Sequence, residues 1–378
     1  MPTEATRGAV PAEGTIEACA RLLPGLLRDP EQPRLVYQPI VDLDRAVVAG
    51  YEALARFDVS PPVAPDVWFA AAAAGGLAAE LERRVVRRVL AARSHLPPNC
   101  FLTVNVSPQA LTTDDVLDEF RHGGDLAGIF VELTEQQHVL DLAATHKALE
   151  ELRQHGAMIA MDDAGSGYSG LQRLVALRPE LMKIDRSLVS GIDSDEAKKA
   201  CVEMLRVLAG RLDAWLLAEG VETPEELRTL VSLEVPLAQG FLLGHPVDDW
   251  RGLDARTTAR IRVAARELLG SRQLVRLVER VAIRTPEAAE PPDSSNVVVC
   301  LDGDGRPTSL LINSDAGRPR TVPVTLQLPA TTPIADAARH CLDRPQAYRF
   351  DPVLCVHEDG TVAGIVHAER IFDFLTRR

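Results

Sequence analysis

From residue 100 onward, short apolar runs alternate with longer stretches whose apolar positions recur at helical spacing. Segments 101–106, 129–134, 157–163, 181–185, 214–219 and 237–242 have the length and texture of buried strands, whereas 139–154 and 197–211 carry the period of amphipathic helices. Thr223 followed by Pro224 predicts another helix start, with threonine at the N-cap and proline at the first helical position. Earlier in the chain, 16–27 and 68–92 read as helices, the first interrupted by Pro24. Runs 34–41 and 47–54, joined by Asp42-Leu43-Asp44-Arg45, predict a hairpin.

Such alternation implies parallel strands with helical crossovers. The strand count approaches that of a closed (β/α)8 barrel over roughly 230 residues, an architecture whose chemistry sits at the C-terminal ends of the strands. Polar side chains accumulate at those ends: Glu52, Asn105, Glu132, Asp162 with Asp163, Lys183, Glu219 with Glu222, and Gln239. One acid closing a strand is ordinarily a cap or a surface residue. A succession of strand ends that are all polar, most of them acidic, points instead to a shared site.

Past the barrel, 260–281 reads as a long helix and 286–296 as a proline-containing acidic linker. A hairpin over 297–313 turns at Asp302-Gly303-Asp304-Gly305, where an Asp-Gly turn explains the aspartates better than a calcium loop does. A capped helix over 332–342, a second hairpin from 353–356 to 362–366 and a helix over 368–375 follow. The expected organisation is a mobile N-terminus at 1–13, a barrel over 14–255, a helical connector and linker over 256–296, and a smaller α+β module over 297–378.

Composition narrows the chemistry. The 378 residues are 46% hydrophobic and 25% charged, as in a soluble globular protein, and no run is long enough to cross a bilayer. A net charge of −13 argues against a nucleic-acid polymer as partner. The six cysteines are scattered and no charged-then-apolar leader precedes them, so free thiols in the cytoplasm are expected. Neither cysteines nor histidines show zinc spacing. A metal would be held by oxygen, which favours magnesium, manganese or calcium.

Converging carboxylates repel one another unless cations lie between them. Two divalent ions about 3.5–4 Å apart would resolve that repulsion and clamp the attacking and leaving oxygens of a phosphoester. Adjacent Asp162 and Asp163 suit such a pair, because one carboxylate can bridge while the other holds the second ion. Lys183 could orient a water or neutralise phosphoryl charge, Glu219 could accept a proton, and Arg56 could fork onto a phosphate. Spacing alone reaches an oxygen-ligated metal hydrolase or lyase on a barrel.

The segments Tyr37-Gln38-Pro39-Ile40, Glu52-Ala53-Leu54-Ala55-Arg56, Asn105-Val106-Ser107-Pro108 and Glu132-Leu133-Thr134-Glu135 are followed by Asp162-Asp163, Lys183-Ile184-Asp185-Arg186, Glu219-Gly220-Val221-Glu222-Thr223 and Gln239-Gly240-Phe241. In that order and at that spacing they resemble the EAL family of cyclic di-GMP phosphodiesterases. The resemblance implies a modified TIM barrel, α/β in class, with an antiparallel first strand. It implies two Mg²⁺ or Mn²⁺ ions per site, one held by Glu52, Asn105, Glu132 and Asp162 and a second reached by Asp162 and Asp163. Lys183 and Glu219 would position and deprotonate the water, and Gln38, Leu54 and Arg56 would hold the dinucleotide. Glu135 would anchor the loop after the paired aspartates, Asp185 would serve as a further support, and Glu222 and Gln239 would brace the mouth. The product would be linear pGpG, and a homodimer is implied. The family usually has phenylalanine where this chain has Ala164, a loss of apolar area at the root of that loop. That departure keeps a non-hydrolysing cyclic di-GMP receptor open as the alternative. A barrel phosphoesterase for another nucleotide is a third reading.

The C-terminal strand, Asp-Gly turn, strand and helix resemble half of a CBS module, with 297–313 as a degenerate first half. Such modules take adenine nucleotides or partner proteins. His367 and Arg370 stand where a nucleotide-binding copy would carry a hydroxyl and an acid, which places a protein partner at least level with a nucleotide.

Overall fold

The computed structural model describes residues 13–60, 62–133, 142–162, 167–285, 297–312 and 320–376. They form two compact units, Met1–Ala265 and Arg266–Arg378. In the first, eight strands close into a barrel in sequence order: β1 (Arg34–Asp42), β2 (Val47–Arg56), β3 (Phe101–Val106), β4 (Ile129–Leu133), β5 (Met158–Met161), β6 (Leu181–Ile184), β7 (Trp215–Ala218) and β8 (Leu237–Ala238). β1 runs antiparallel to both neighbours, β2 and β8, and every other pairing is parallel. The short Asp42–Ala46 connection explains the reversal, since two strands joined by a tight turn can only pair antiparallel.

Strand periodicity of two sorts the barrel interior into layers. Ile40, Phe101, Phe130, Ala160, Leu181, Leu217 and Leu237, one from each strand except β2, make an apolar plug. On β2 the corresponding residue is Gly50, where a Cβ would lie 2.5 Å from the Phe101 ring. Two residues further along each parallel strand the inward position turns polar: Glu52, Glu132, Asp162, Lys183, Glu219 and Gln239. β3 needs four, passing fully buried Thr103 before Asn105. On the reversed β1 the step runs backward, from Ile40 to Gln38. Outward residues such as Leu102, Val104, Ile129, Val131 and Ile159 pack beneath the surrounding helices in the main core. The same strands therefore bury apolar surface on both faces for most of their length and turn polar only at one rim.

The expected helix over 68–92 is two helices, Pro65–Ala74 and Ala78–Ala92, broken at Gly75-Gly76, where Gly76 has a φ of +71°. The helix expected over 260–281 is instead Ala255–Ser271. Beyond it, backbone partners elsewhere in the second unit capture the chain. Leu274 N donates to Thr332 O at 2.9 Å, and Glu279 N donates to Ile365 O at 2.8 Å. Tertiary pairing thus overrides local helical periodicity. The strand expected over 237–242 stops at Ala238, because the chain turns at Gly240. The helix Pro224–Ser232 has the threonine cap read from sequence, reinforced by a reciprocal bond from Glu226.

The second unit holds two sheets. One has the order β12 (Arg320–Pro323), β11 (Pro307–Ile312), β10 (Val297–Leu301), β9 (Ala282–Arg284), with β9 parallel to β10. The other joins β13 (Gln327–Pro329), β14 (Val353–Val356) and β15 (Val362–Val366). Together with helices Ile334–Asp343 and Ala368–Thr376 it gives a strand–helix–strand–strand–helix order around Ile334, Ala337, Cys341, Val353, Cys355 and Ile371. The first of these helices starts behind Pro333 with no side-chain cap, contrary to the capped start expected there. All six cysteines are free thiols, and no helix among the described residues is long and apolar enough to cross a membrane.

Gly240 fixes how β8 leaves the barrel. A Cβ there would lie 2.2 Å from both Val221 N and Val221 O, atoms of backbone that cannot move aside. Gly240→Ala is expected to destabilise the protein by about 2 kcal/mol or more. Gly210, in helix Glu196–Leu212 with nothing within 4 Å of a built Cβ, should gain up to about 1 kcal/mol as alanine. Urea unfolding of the two variants checks both signs, and equal effects would refute the packing argument.

Candidate active site

The polar rim converges on Lys183. Its ammonium contacts Glu132 Oε1 directly, lies 2.6 Å from Glu219 Oε1 and 3.7 Å from Glu52 Oε1, and is almost wholly buried. Glu132, Asp162 and Glu219 each offer a carboxylate oxygen within 4.8 Å of the others. The strands dictate this convergence: Asn105 is in register with Glu132 across β3–β4, and Gln38 with Glu52 across β1–β2.

Amides orient the acids. Glu52 Oε1 accepts from Asn105 Nδ2 at 2.9 Å, and Glu52 Oε2 accepts from Gln239 Nε2 at 2.7 Å. Gln239 Nε2 also donates to Gln38 Oε1 at 3.0 Å, and Gln38 Nε2 donates to Gly244 O at 3.1 Å. Both oxygens of Glu52 are thereby held by neutral donors, which fixes its plane without neutralising its charge.

Four carboxylates face one ammonium. Burial pushes Glu132 well above the usual glutamate range, and the charges of Glu52, Asp162 and Glu219 add to that, against the pull of Lys183. Burial likewise raises Glu219 to about 7, with Asp162 and Glu52 contributing and Lys183 opposing. For Lys183 burial acts downward, but Glu132, Glu219, Glu52 and Asp162 outweigh it and hold the ammonium charged. Among the described residues, Glu132 Oε2 and Gln239 Oε1 are buried and make no hydrogen bond. A buried acceptor left unpaired is costly, and a buried excess of negative charge more so. An orphaned carboxylate oxygen, an all-oxygen donor set and acids that must otherwise retain protons fit a hard divalent cation.

The remaining expected residues fall elsewhere. Leu54 and Arg56 follow Glu52 on the same face of β2, with Arg56 Nη1 donating to Ala55 O at 2.8 Å. Asp185 caps helix Arg186–Val189, accepting from Ser187 N at 2.8 Å. Glu222 does not join the cluster: Gly220, at a φ of +71°, turns the chain, and Glu222 pairs with Arg186 at 2.7 Å near the surface. Asp163, Glu135 and Ala164 lie outside the described residues.

Two buried acids that sequence reasoning passed over support the rim. Glu226 accepts from Gly191 N, Glu222 N and Thr223 N at 2.9–3.0 Å, tying down the turn after Glu219. Its position three residues after Thr223 was the available signal. Glu82, on helix Ala78–Ala92, accepts from Ser107 N and Oγ. An acid beside Leu81, Val85, Val86 and Val89 on the buried stripe was the clue there.

A sequence model of the EAL domain matches residues 26–246. An uncharacterised protein of Mycobacterium tuberculosis is 35% identical over 226 residues, covering 57% of this chain and 36% of that protein. Cyclic di-GMP phosphodiesterase NbdA of Pseudomonas aeruginosa is 33% identical over 236 residues, covering 58% of this chain and 30% of its own length. A Klebsiella pneumoniae protein solved with manganese and cyclic di-GMP superposes with a TM-score of 0.53 at 30% identity, over 60% of this chain and 59% of that one. The chain thus spans about a third of the length of the curated relatives it matches.

The raised Glu219 value has a measurable sign. The unfolded chain releases that proton near 4.5, whereas the metal-free folded protein keeps it to about 7. The folded state binds more protons across that window, so this carboxyl's contribution is complete below the lower value and is lost as pH rises through the upper one. The stability advantage of Glu219→Gln over wild type should therefore grow across the window by on the order of 2–3 kcal/mol, measured by urea unfolding in chelator. At about pH 6.5, Mn²⁺ binding should release protons, seen by calorimetry in buffers of different ionisation heat. Parallel pH profiles for the two proteins would contradict the assignment.

Proposed function

The chain belongs to the EAL-domain family, and on that premise we propose that it hydrolyses cyclic di-GMP to linear pGpG in a two-metal reaction. The observation that carries the reading is the convergence of Glu52, Glu132, Asp162 and Glu219 around Lys183 at the C-terminal rim of a closed barrel. In this reading Glu52, Asn105, Glu132 and Asp162 hold one Mg²⁺ or Mn²⁺, and Asp162 with Asp163 reaches a second. Bound ions of this kind polarise the phosphoryl group and make a nucleophile available at neutral pH.

The protein's own groups supply orientation and proton movement. Glu219, whose carboxylate contacts Lys183 at the rim, is the group placed to accept a proton from water. Lys183, 2.6 Å from Glu219, fixes that carboxylate and places positive charge where the phosphoryl oxygens gain negative charge. Water oxygen attacks phosphorus in line, one of its protons passes to Glu219, and the opposite P–O ester bond breaks, the leaving oxygen taking a proton from solvent as the ring opens. Gln38, Leu54 and Arg56 line the approach for the dinucleotide. Phe241, half-exposed just past Gln239 and stacked on His245 at a centroid distance of 4.4 Å, offers an aromatic face to a purine.

The C-terminal residues 297–378 form a CBS-like interaction module in this reading, with 256–296 as connector and linker. His367 Nε2 lies 3.8 Å from Glu279 Oε2 and Arg370 contacts Glu279 Oε1. These engagements favour a protein partner over an adenine nucleotide. The proposal places the protein in the cytoplasm as a homodimer.

Chromatography of cyclic di-GMP incubated with protein and Mg²⁺ or Mn²⁺ tests the reading. We expect pGpG, suppressed by chelator and reduced about 10²–10⁴-fold in Glu219→Gln. No turnover with either metal, with Glu52→Ala indistinguishable from wild type, would end it. Tight binding without cleavage selects the receptor alternative that Ala164 raised. Equal cleavage of cyclic di-AMP selects a phosphoesterase of broader choice.

A further inference from the structure

Glu82 is a buried carboxylate outside the acidic cluster, 5% exposed, and it has no cationic partner among the described residues. Its neighbours Arg83 and Arg84 turn to Glu80, at 2.6 and 3.0 Å, and Arg83 also reaches Glu119 at 3.2 Å. Burying an acid without a cation is expensive unless hydrogen bonds to its oxygens compensate. Both bonds that do so come from one residue: Ser107 N donates to Oε2 and Ser107 Oγ to Oε1, each at 2.7 Å.

Ser107 lies where β3 ends. Leu102 N bonds toward β4, so by the alternation of the strand Ser107 N faces β2, whose pairing with β3 closes at Ala53 opposite Val104, and it takes Glu82 instead. The serine hydroxyl is used twice. It donates to Glu82 and accepts from Ala110 N at 3.2 Å, capping the short helix Pro108–Leu111. Nothing in that turn is left to rotate. Two residues back along the same backbone, Asn105 donates Nδ2 to Glu52 Oε1 at 2.9 Å. With its amide nitrogen so engaged, the side-chain oxygen of Asn105 remains as its acceptor.

We propose that Glu82 is a positioning residue for the metal site: by clamping Ser107 it fixes the exit of β3, and with it the placement of the Asn105 amide against Glu52. The inference rests on the reading of Asn105 and Glu52 as metal-holding residues. It assigns Glu82 no contact with substrate or ion. An outer residue that orients a ligand typically changes metal affinity by about 10–100-fold when altered. Glu82→Leu keeps roughly the side-chain volume but offers no acceptor, so both Ser107 bonds are lost; Glu82→Gln would retain them, its oxygen accepting from Ser107 N and its NH₂ donating to Ser107 Oγ.

The test is Mn²⁺ titration of the full chain by calorimetry, without nucleotide, for wild type, Glu82→Leu and Glu80→Gln. Glu80 lies on the same helix and pairs with Arg83 and Arg84, so its loss also perturbs the helix but leaves β3 alone. The expected result is about 10–100-fold weaker Mn²⁺ binding in Glu82→Leu and wild-type affinity in Glu80→Gln. In turnover assays the Mn²⁺ concentration for half-maximal rate should rise by the same factor, with kcat at saturating Mn²⁺ within about twofold of wild type. Should Glu82→Leu not fold, Ser107→Ala, which removes the hydroxyl's bonds to Glu82 and Ala110 N but keeps the Ser107 N bond to Glu82, carries the test with an expected weakening of at least about threefold. Wild-type Mn²⁺ affinity in a folded Glu82→Leu, or equal weakening in Glu80→Gln, overturns the proposal. Since affinity is read without substrate, a wild-type protein that binds Mn²⁺ and cleaves nothing ends the phosphodiesterase reading and leaves Glu82 judged on the binding ratio alone.

Discussion

A single buried ammonium makes the rim of this barrel possible. Lys183 sits among Glu52, Glu132 and Glu219 with almost no exposure, and without it the acids would face one another across a low-dielectric mouth. One positive charge does not balance four carboxylates. The remainder is met by proton retention, which is why burial drives Glu132 and Glu219 upward while the same acids hold Lys183 charged. A site in this condition fits a divalent cation, which would replace protons and satisfy oxygens such as Glu132 Oε2.

The barrel concentrates that cost at one end. Its plug of Ile40, Phe101, Phe130, Ala160, Leu181, Leu217 and Leu237 is apolar throughout, and the Phe101 and Phe130 rings pack at a centroid distance of 4.8 Å beside Trp215. Two residues further along most strands the same inward column becomes ionisable. Stability and chemistry thus share the columns but occupy different layers. The strain of the polar layer is supported from outside by Glu82 and Glu226, each of which holds backbone rather than side chains of the rim. Both are acids, and backbone N–H groups at strand ends and helix starts are what acids serve best.

Much of this was legible in the chain because a strand's period is fixed. Polar residues closing successive apolar runs had to share a rim once those runs closed into a barrel, and the eight-stranded barrel closes in chain order with β1 reversed, as the early hairpin suggested. Reading two residues back from the polar ends of β4 to β8 would also have given most of the plug. Local rules failed where two signals competed. The 68–92 stretch has continuous helical periodicity, yet Gly75-Gly76 breaks it. The 260–281 stretch looked helical, yet backbone partners at Thr332 and Ile365 take its second half.

The sequence by itself determined the fold class, the order of the strands and the identity of the acids at the rim. Covalent order, side-chain period and turn chemistry are local properties that survive without coordinates. Only the tertiary structure decided which of those acids meet. Glu219 and Glu222 are three residues apart, yet one contacts Lys183 while the other leaves for Arg186, because a left-handed glycine between them redirects the chain. Tertiary packing also decided that Lys183 would be surrounded, that Glu219 would hold its proton near neutrality, and that Glu82 would find Ser107 across 25 residues of chain. Such outcomes depend on burial and on charges brought together from distant strands, quantities that exist only once the barrel has closed.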